Sequence, residues 1–107
     1  MVVTTTESDV AVVSDVAVVT LRGELDSAMV PTVRTRLEGV AGDVELDCAD
    51  LVFIDSAGIS LFVEIHHACV ARGAKLTVVN APRCVTRLLA LTGVDRLFPV
   101  QSEDTVA

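Results

Sequence analysis

Strand-like and helix-like segments alternate along this chain of 107 residues. Short β-prone runs, such as residues 44–48 and 75–79, are separated by stretches in which apolar residues recur every three or four positions. The first two runs, 10–13 and 16–21, are joined by Ser14-Asp15 and predict a β-hairpin. Because strands that alternate with helices form a largely parallel sheet, we expect an α/β fold. Its mixed sheet of four to five strands is flanked by helices and opens with the hairpin.

Capping and turn residues mark the limits of the predicted elements. The helices are predicted from Asp26 or Ser27 to 42–43, from about Ser56 to Gly73, and from 80–82 to Gly93. The inner side of the third helix is expected to carry Val85, Leu88, Leu89 and Leu91. We expect a break at residues 49–50, between the runs 44–48 and 51–54, and a last edge strand at 97–100.

The charge of the chain excludes one class of partner and favours another. Its net charge is −7, its sequence pI is about 4.5, and it contains three phenylalanines but neither tryptophan nor tyrosine. Nucleic-acid binding draws on basic side chains and stacking aromatic residues, so direct binding of DNA or RNA is not expected. An acidic surface suits a basic protein partner.

Length and hydropathy indicate one domain, spanning residues 1–107, in the cytoplasm. A chain of this size can bury one core without metal or disulfide cross-links. The mean hydropathy is high, at +0.60. The sequence nevertheless contains no run of about 18 apolar residues, so we expect no transmembrane helix. The first nine residues lack the cationic and apolar segments of a signal peptide.

The three cysteines, Cys48, Cys69 and Cys84, show no CxxC spacing. Cysteines of this kind are usually small buried apolar residues in a reducing compartment, and we expect that role for all three. A regulatory disulfide between two of them stays open, because distances between them cannot be read from the sequence.

The stretch FIDSAGISLF, residues 53–62, joins a predicted strand to a predicted helix. Asp55 or Ser56 can cap that helix, and open α/β sheets also place functional sites at the carboxyl ends of their strands. A serine nucleophile needs a nearby base, but His66 and His67 lie about 15 Å along the helix and no GxSxG motif is present. No Walker A or GxGxxG motif predicts a bound nucleotide, and the group His66, His67 and Cys69 has no further metal ligands at a recognisable spacing. We therefore expect no catalytic residue, cofactor or metal.

Four stretches resemble the STAS domain, and within it the small bacterial anti-sigma factor antagonists: LRGELD (21–26), LVFIDSAGISLF (51–62), ARGAKLTVVN (71–80) and VTRLLALTGVDRLFPV (85–100). They follow the family's order and cover a core of about residues 10–100. The resemblance implies the STAS fold and a partner-switching protein with no enzymatic activity of its own.

The resemblance also implies a phosphorylation site and two partners. Ser56 directly follows the aspartate of the DSxG motif, as the serine phosphorylated in the family does. The implied kinase is the anti-sigma factor, of the GHKL type, which the unphosphorylated antagonist binds, freeing a sigma factor; a PP2C-type phosphatase removes the phosphate. The implied partner-binding residues are Asp26, Asp55, Ser56, Ala57, Gly58 and Ile59.

Two positions depart from the family pattern. Ala57 replaces a Ser or Thr of many relatives, and Ser60 replaces a frequent Gly. The acceptor serine is unchanged. The alternative function is a non-phosphorylated STAS scaffold, such as a regulatory subunit of a lipid-transport ATPase or part of a stress-sensing complex.

Overall fold

The computed structural model of the protein describes residues 2–4, 8–13 and 15–103. Its strands are β1 (Val2–Thr4), β2 (Ser8–Val13), β3 (Val16–Leu25), β4 (Asp43–Ile54), β5 (Leu76–Ala81) and β6 (Val100–Ser102). Its helices are α1 (Val30–Arg36), α2 (Ser56–Ala71) and α3 (Arg83–Thr92), and a 3₁₀ turn spans Val94–Arg96.

All six strands belong to one mixed sheet in the order β1-β2-β3-β4-β5-β6. The pairs β1–β2 and β2–β3 are antiparallel, and β3 through β6 run parallel. The α/β class, the mixed sheet and the opening hairpin are therefore confirmed, and Val13 pairs with Val16 across the predicted turn. The expected number of strands was too low, because the β-branched run Val2–Thr4 adds an edge strand to β2.

One face of the sheet is buried by the three helices. Side-chain burial alternates along β3, where Ala17, Val19 and Leu21 are inside and the residues between them are half-buried. These residues form one core with Phe62 of α2 and Leu89 of α3, both fully buried. The period-two pattern thus gives β3 one core face. The helix after each of β3, β4 and β5 carries the chain back, so that the next strand runs parallel to the last.

Strand β4 is continuous, so the predicted break at residues 49–50 was wrong. The register against β3 shifts there instead, because Thr20 pairs with Asp47 whereas Arg22 pairs with Asp50. A shift of this kind places one extra residue in β4 and interrupts the in-and-out alternation of its side chains. The sequence shows the interrupted alternation, but it does not show that the strand goes on.

Two element limits and the orientation of one side chain also differ from the predictions. Helix α1 ends at Arg36, well before residues 42–43, and a turn follows. In α3, Val85 and Leu89 are buried and Leu88 is partly buried, but Leu91 is exposed, because two residues turn an α-helix by about 200° and point Leu91 away from Leu89. The last strand lies at Val100–Ser102 rather than at 97–100.

Candidate functional site

Asp26 and Asp55 follow directly on two neighbouring strands and lie at the same edge of the sheet. Leu25 of β3 pairs with Ile54 of β4, and the Asp55 backbone N–H donates to the Leu25 carbonyl oxygen at 3.3 Å. Adjacent strands in a sheet are about 4.8 Å apart, so the two residues that follow this pair are close neighbours. The parallel pairing of β3 with β4 is therefore what brings the GELD and DSxG stretches together.

Asp55 is the residue that caps α2. Its Oδ1 accepts hydrogen bonds from the backbone N–H groups of Ala57 at 2.9 Å and Gly58 at 3.2 Å. A helix begins with free N–H groups that need acceptors, and a carboxylate there also interacts favourably with the helix dipole. The sequence left open whether Asp55 or Ser56 supplies the cap, and the structure assigns it to Asp55.

Ser56 is the first residue of α2 and is exposed to solvent. Within residues 15–103, no hydrogen bond to its hydroxyl group occurs. Because Asp55 satisfies the first turn of the helix, the Ser56 hydroxyl is not needed for capping. The group is accessible for chemical modification.

Gly58 allows α2 to pack closely against the ends of β3 and β4. A β-carbon at this position would lie 2.6 Å from Cγ1 of Ile54 and 2.8 Å from the carbonyl oxygen of Leu25. Both distances are far below a normal carbon–carbon or carbon–oxygen contact, so no larger residue fits without moving the helix. The absence of a side chain at Gly58 thus fixes the start of α2 beside β3.

The Asp26 side chain orders the turn that leads into α1. Its Oδ1 accepts from the N–H groups of Ala28 at 3.0 Å and Met29 at 3.1 Å, and its carbonyl oxygen accepts from Val30 at 3.0 Å. The prediction that Asp26 or Ser27 caps the helix is modified, since the N-cap position is Met29, which makes no side-chain cap bond. Asp26 therefore has a structural role as well as its place beside Ser56.

The six residues expected to bind a partner lie together but differ in exposure. Ser56 is exposed, Asp26, Asp55 and Ala57 are half-buried, and Gly58 and Ile59 are buried. The last two belong to the core, where Ile59 is 6% exposed, so they position the helix. Sequence reasoning missed two exposed apolar side chains close to this group, Val52 and Phe53 of β4.

The cysteines divide into two buried residues and one exposed residue. Cys48 and Cys69 are fully buried, as expected, but Cys84 in the first turn of α3 is exposed, so the expectation was wrong for Cys84. Burial, with smaller contributions from Asp47 and the nearby Cys84, raises the pKa of the Cys48 thiol to about 12. Burial also raises the pKa of Cys69. The two buried thiols are thus protonated and unreactive at neutral pH.

A groove of about 220 Å³ lies between α1 and α2. Its floor includes the apolar side chains of Leu61 and Ile65, and its charged groups include Arg34 and Glu64. The Arg34 Nε and Nη2 donate to the two carboxylate oxygens of Glu64 at 2.7 and 3.0 Å, which lowers the pKa of Glu64. Because Arg34 and Glu64 pair with each other, neither side chain is left unpaired to bind a ligand in the groove.

Within the described residues, no cluster of three His, Cys, Asp or Glu side chains could hold a metal ion. The ring of His66 packs edge-to-face against the ring of His67, with centroids 5.5 Å apart. It also lies at a tilt against the ring of Phe98, with centroids 5.7 Å apart. In the same part of the chain, no helix is long and apolar enough to cross a membrane.

Comparison with known proteins identifies the family. The model of the STAS domain matches residues 7–107. No curated protein matches the chain by sequence.

Several solved structures have the same fold. The anti-sigma factor antagonist SpoIIAA, in its unphosphorylated form, has a TM-score of 0.77 at 20% identity, with 91% of this chain and 90% of that chain covered. An anti-sigma factor antagonist from Mycobacterium paratuberculosis has a TM-score of 0.77 at 24% identity, covering 92% and 86%. The murine anion transporter Solute Carrier 26 family member A9 has a TM-score of 0.63 at 17% identity, covering 82% of this chain but 16% of the transporter.

Proposed function

Because the chain belongs to the STAS domain family, we propose that it is an anti-sigma factor antagonist regulated by phosphorylation of Ser56. The unphosphorylated chain binds an anti-sigma factor that is a GHKL-type serine kinase, and this binding frees a sigma factor. Phosphorylation by the same kinase weakens the complex, and a PP2C-type phosphatase restores the binding form. In this proposal the chain acts in the cytoplasm and catalyses no reaction itself.

The observation that carries this proposal is the division of roles between Asp55 and Ser56. The Asp55 carboxylate binds the free N–H groups of α2, whereas the Ser56 hydroxyl is exposed and unbonded to the described residues. A kinase can therefore transfer a phosphate to Ser56 without removing the cap of the helix. The likeness to SpoIIAA, whose structure was solved in its unphosphorylated form, supports phosphorylation as the regulating event.

The charges around Ser56 explain how a phosphate would change binding. A phosphate adds about −1.5 to −2 charges at neutral pH. In the free chain this charge lies in water at a helix N-terminus, where anions are tolerated. In a complex it would be pressed against a protein surface next to Asp26 and Asp55, where repulsion and lost hydration oppose it. A cost of about 2–4 kcal/mol, or about 30- to 1,000-fold in affinity, is sufficient for a partner to exchange.

Two measurements with the cognate kinase test this proposal: whether the kinase phosphorylates each Ser56 variant, and how tightly it binds each variant. The kinase is recovered with the wild-type chain as bait and then incubated with the chain and ATP, and mass spectrometry locates the phosphate. We expect phosphate on Ser56 in the wild type, none in Ser56→Ala, and wild-type labelling in Ser60→Ala, a control at another exposed serine one turn further along α2.

Calorimetric titration then ranks the affinities. Ser56→Ala should bind as tightly as the unphosphorylated wild type, Ser56→Glu more weakly, and the phosphorylated chain most weakly. Equal affinities for the alanine, glutamate and phosphorylated forms would refute the switch.

The second candidate is a STAS scaffold that is never phosphorylated. The likeness to one part of an anion transporter favours it, because the same fold there occupies 16% of a larger protein. A scaffold of this kind, including a subunit of a transport ATPase or a stress-sensing complex, would hold its partner and gain no phosphate on Ser56.

A further inference from the structure

Two neighbouring apolar side chains of β4 face solvent close to Ser56. Val52 is 71% exposed and Phe53 is 47% exposed. Strict alternation along a strand would turn one of two consecutive residues inward. Here the register of β4 against β3 shifts between Gly23 and Glu24, since Leu51 pairs with Gly23 but Phe53 pairs with Glu24. The extra residue in β4 keeps both Val52 and Phe53 outside the core, and bulges of this kind often lie next to functional sites.

A specific protein interface needs apolar side chains at its centre. The exposed residues of the predicted binding set are polar or small, because Gly58 and Ile59 are buried. The described chain exposes five large apolar residues: Val52, Phe53, Val70, Leu91 and Leu97. Val70 lies about 21 Å from Ser56 along α2, and Leu91 lies in the last turn of α3, which runs away from this edge of the sheet. Leu97 precedes the amino end of β6, whereas Ser56 follows the carboxyl end of the parallel strand β4. Val52 and Phe53 are therefore the apolar residues that can share an interface with Ser56.

The two strand ends that carry and adjoin this pair are rich in acidic residues. The two strand ends, residues 22–26 and 50–56, contain the carboxylates Glu24, Asp26, Asp50 and Asp55 and one cation, Arg22, whose Nε lies 3.8 Å from Asp50. These carboxylates complement basic side chains on a partner protein. A second copy of this chain would bring the same carboxylates against each other, and the net charge of −7 adds to that repulsion.

We propose that Val52 and Phe53 form the apolar centre of the surface that docks on the anti-sigma kinase, seated in an apolar pocket of that protein rimmed by Lys and Arg side chains. This inference rests on the proposed function. It also explains why one phosphate is effective: Ser56 lies three residues after Phe53, so the added charge would fall at the edge of a contact that excludes water.

The experiment uses substitutions on the surface of the full chain. The double variant Val52→Ser/Phe53→Ser should bind the kinase at least about tenfold more weakly than wild type, as expected for truncated interface centres. The control Leu91→Ser removes an apolar side chain of greater exposure, 76%, from a distant surface and should bind within about twofold of wild type. Circular dichroism confirms that each variant is folded.

A fluorescent reporter tests burial of the patch directly. The chain contains no tryptophan, so Phe53→Trp introduces a single one. After subtraction of the wild-type mixture, its emission should shift to the blue when the unphosphorylated complex forms, and the emission of Leu91→Trp should not.

The outcomes separate this inference from the proposed function. Wild-type affinity of the double variant, or unshifted emission of Phe53→Trp in the complex, overturns the docking surface while Ser56 phosphorylation stands. A captured partner that puts no phosphate on Ser56 overturns the proposed function, and loss of that partner in the double variant still identifies the patch as its docking site. A wild-type dimer in sedimentation that the double variant abolishes assigns the patch to a second copy and overturns the inference.

Discussion

Replacing Gly58 by alanine tests whether close packing at this position fixes the start of α2. The added β-carbon would lie 2.6 Å from Cγ1 of Ile54, 2.8 Å from the carbonyl oxygen of Leu25 and 3.0 Å from Cγ of Leu25. Ile54 can change its rotamer, but the Leu25 oxygen belongs to a strand and accepts the Asp55 N–H at 3.3 Å. The helix must therefore move away from β3.

The expected change in the free energy of unfolding follows from two opposing terms. Overpacking a tight site costs about 1–3 kcal/mol, and a clash with backbone places this site near 3. Alanine favours the helical conformation over glycine by about 1 kcal/mol. We therefore expect Gly58→Ala to lose about 2 kcal/mol of stability.

Urea unfolding followed by far-ultraviolet circular dichroism measures this change, since the chain has neither tryptophan nor tyrosine to report by fluorescence. The control is Ser60→Ala, at an exposed position of the same helix, which should gain up to about 0.5 kcal/mol from helix propensity alone. The cognate kinase should also phosphorylate folded Gly58→Ala more slowly, because Ser56 moves relative to Asp26. A Gly58→Ala chain as stable as wild type would show that the packing argument is wrong.

Three further predictions concern the helix cap and the cysteines. Asp55→Ala should lose about 1 kcal/mol of stability in urea unfolding, whereas Ser56→Ala should lose almost none, because the carboxylate is the cap; equal losses would contradict this assignment. A thiol reagent at pH 8 should label Cys84 quickly in the native chain and label Cys48 and Cys69 only on unfolding, as peptide mapping by mass spectrometry would show; rapid labelling of Cys48 would contradict its burial. Folding raises the pKa of the Cys48 thiol from 9.0 to about 12, so this thiol loses its proton at a lower pH in the unfolded chain than in the folded chain. The thiol's contribution to stability is therefore complete below pH 9 and falls by up to about 4 kcal/mol as the pH rises towards 12; wild type should lose more stability than Cys48→Ala over that range, and parallel losses would refute the assignment.

The start of α2 was predictable because its signals are local. Asp55, Ser56 and Gly58 follow an apolar run and precede a helical pattern, and the choice between the two possible caps depended only on which oxygen reaches the first N–H groups. The same holds for the end of α3, where Gly93 has the left-handed φ of 76° that favours glycine.

The exposure of Val52 and Phe53 was not predictable because it depends on a neighbouring strand. The sequence of β4 shows apolar residues throughout 51–54, which is also the pattern of a strand buried on both faces. Only the pairing with Gly23 and Glu24 reveals the shift in register that turns two of them to solvent. Sequence periodicity records the preference of each residue, whereas register is a property of two strands together.

The arrangement at this edge of the sheet would let the proposed phosphorylation act without a change of fold. Asp55 and Gly58 hold α2 in place through groups that a phosphate on Ser56 does not touch. In the free chain a phosphate on Ser56 would lie in water at a helix N-terminus and would cost little, so the folded state would be retained. In the proposed complex the same phosphate would lie between two carboxylates and an apolar contact, where its hydration would be lost. In this proposal the difference between the two environments, rather than a conformational change, would supply the free energy that releases the partner, because a modification shifts an equilibrium only by its unequal interaction with the two states.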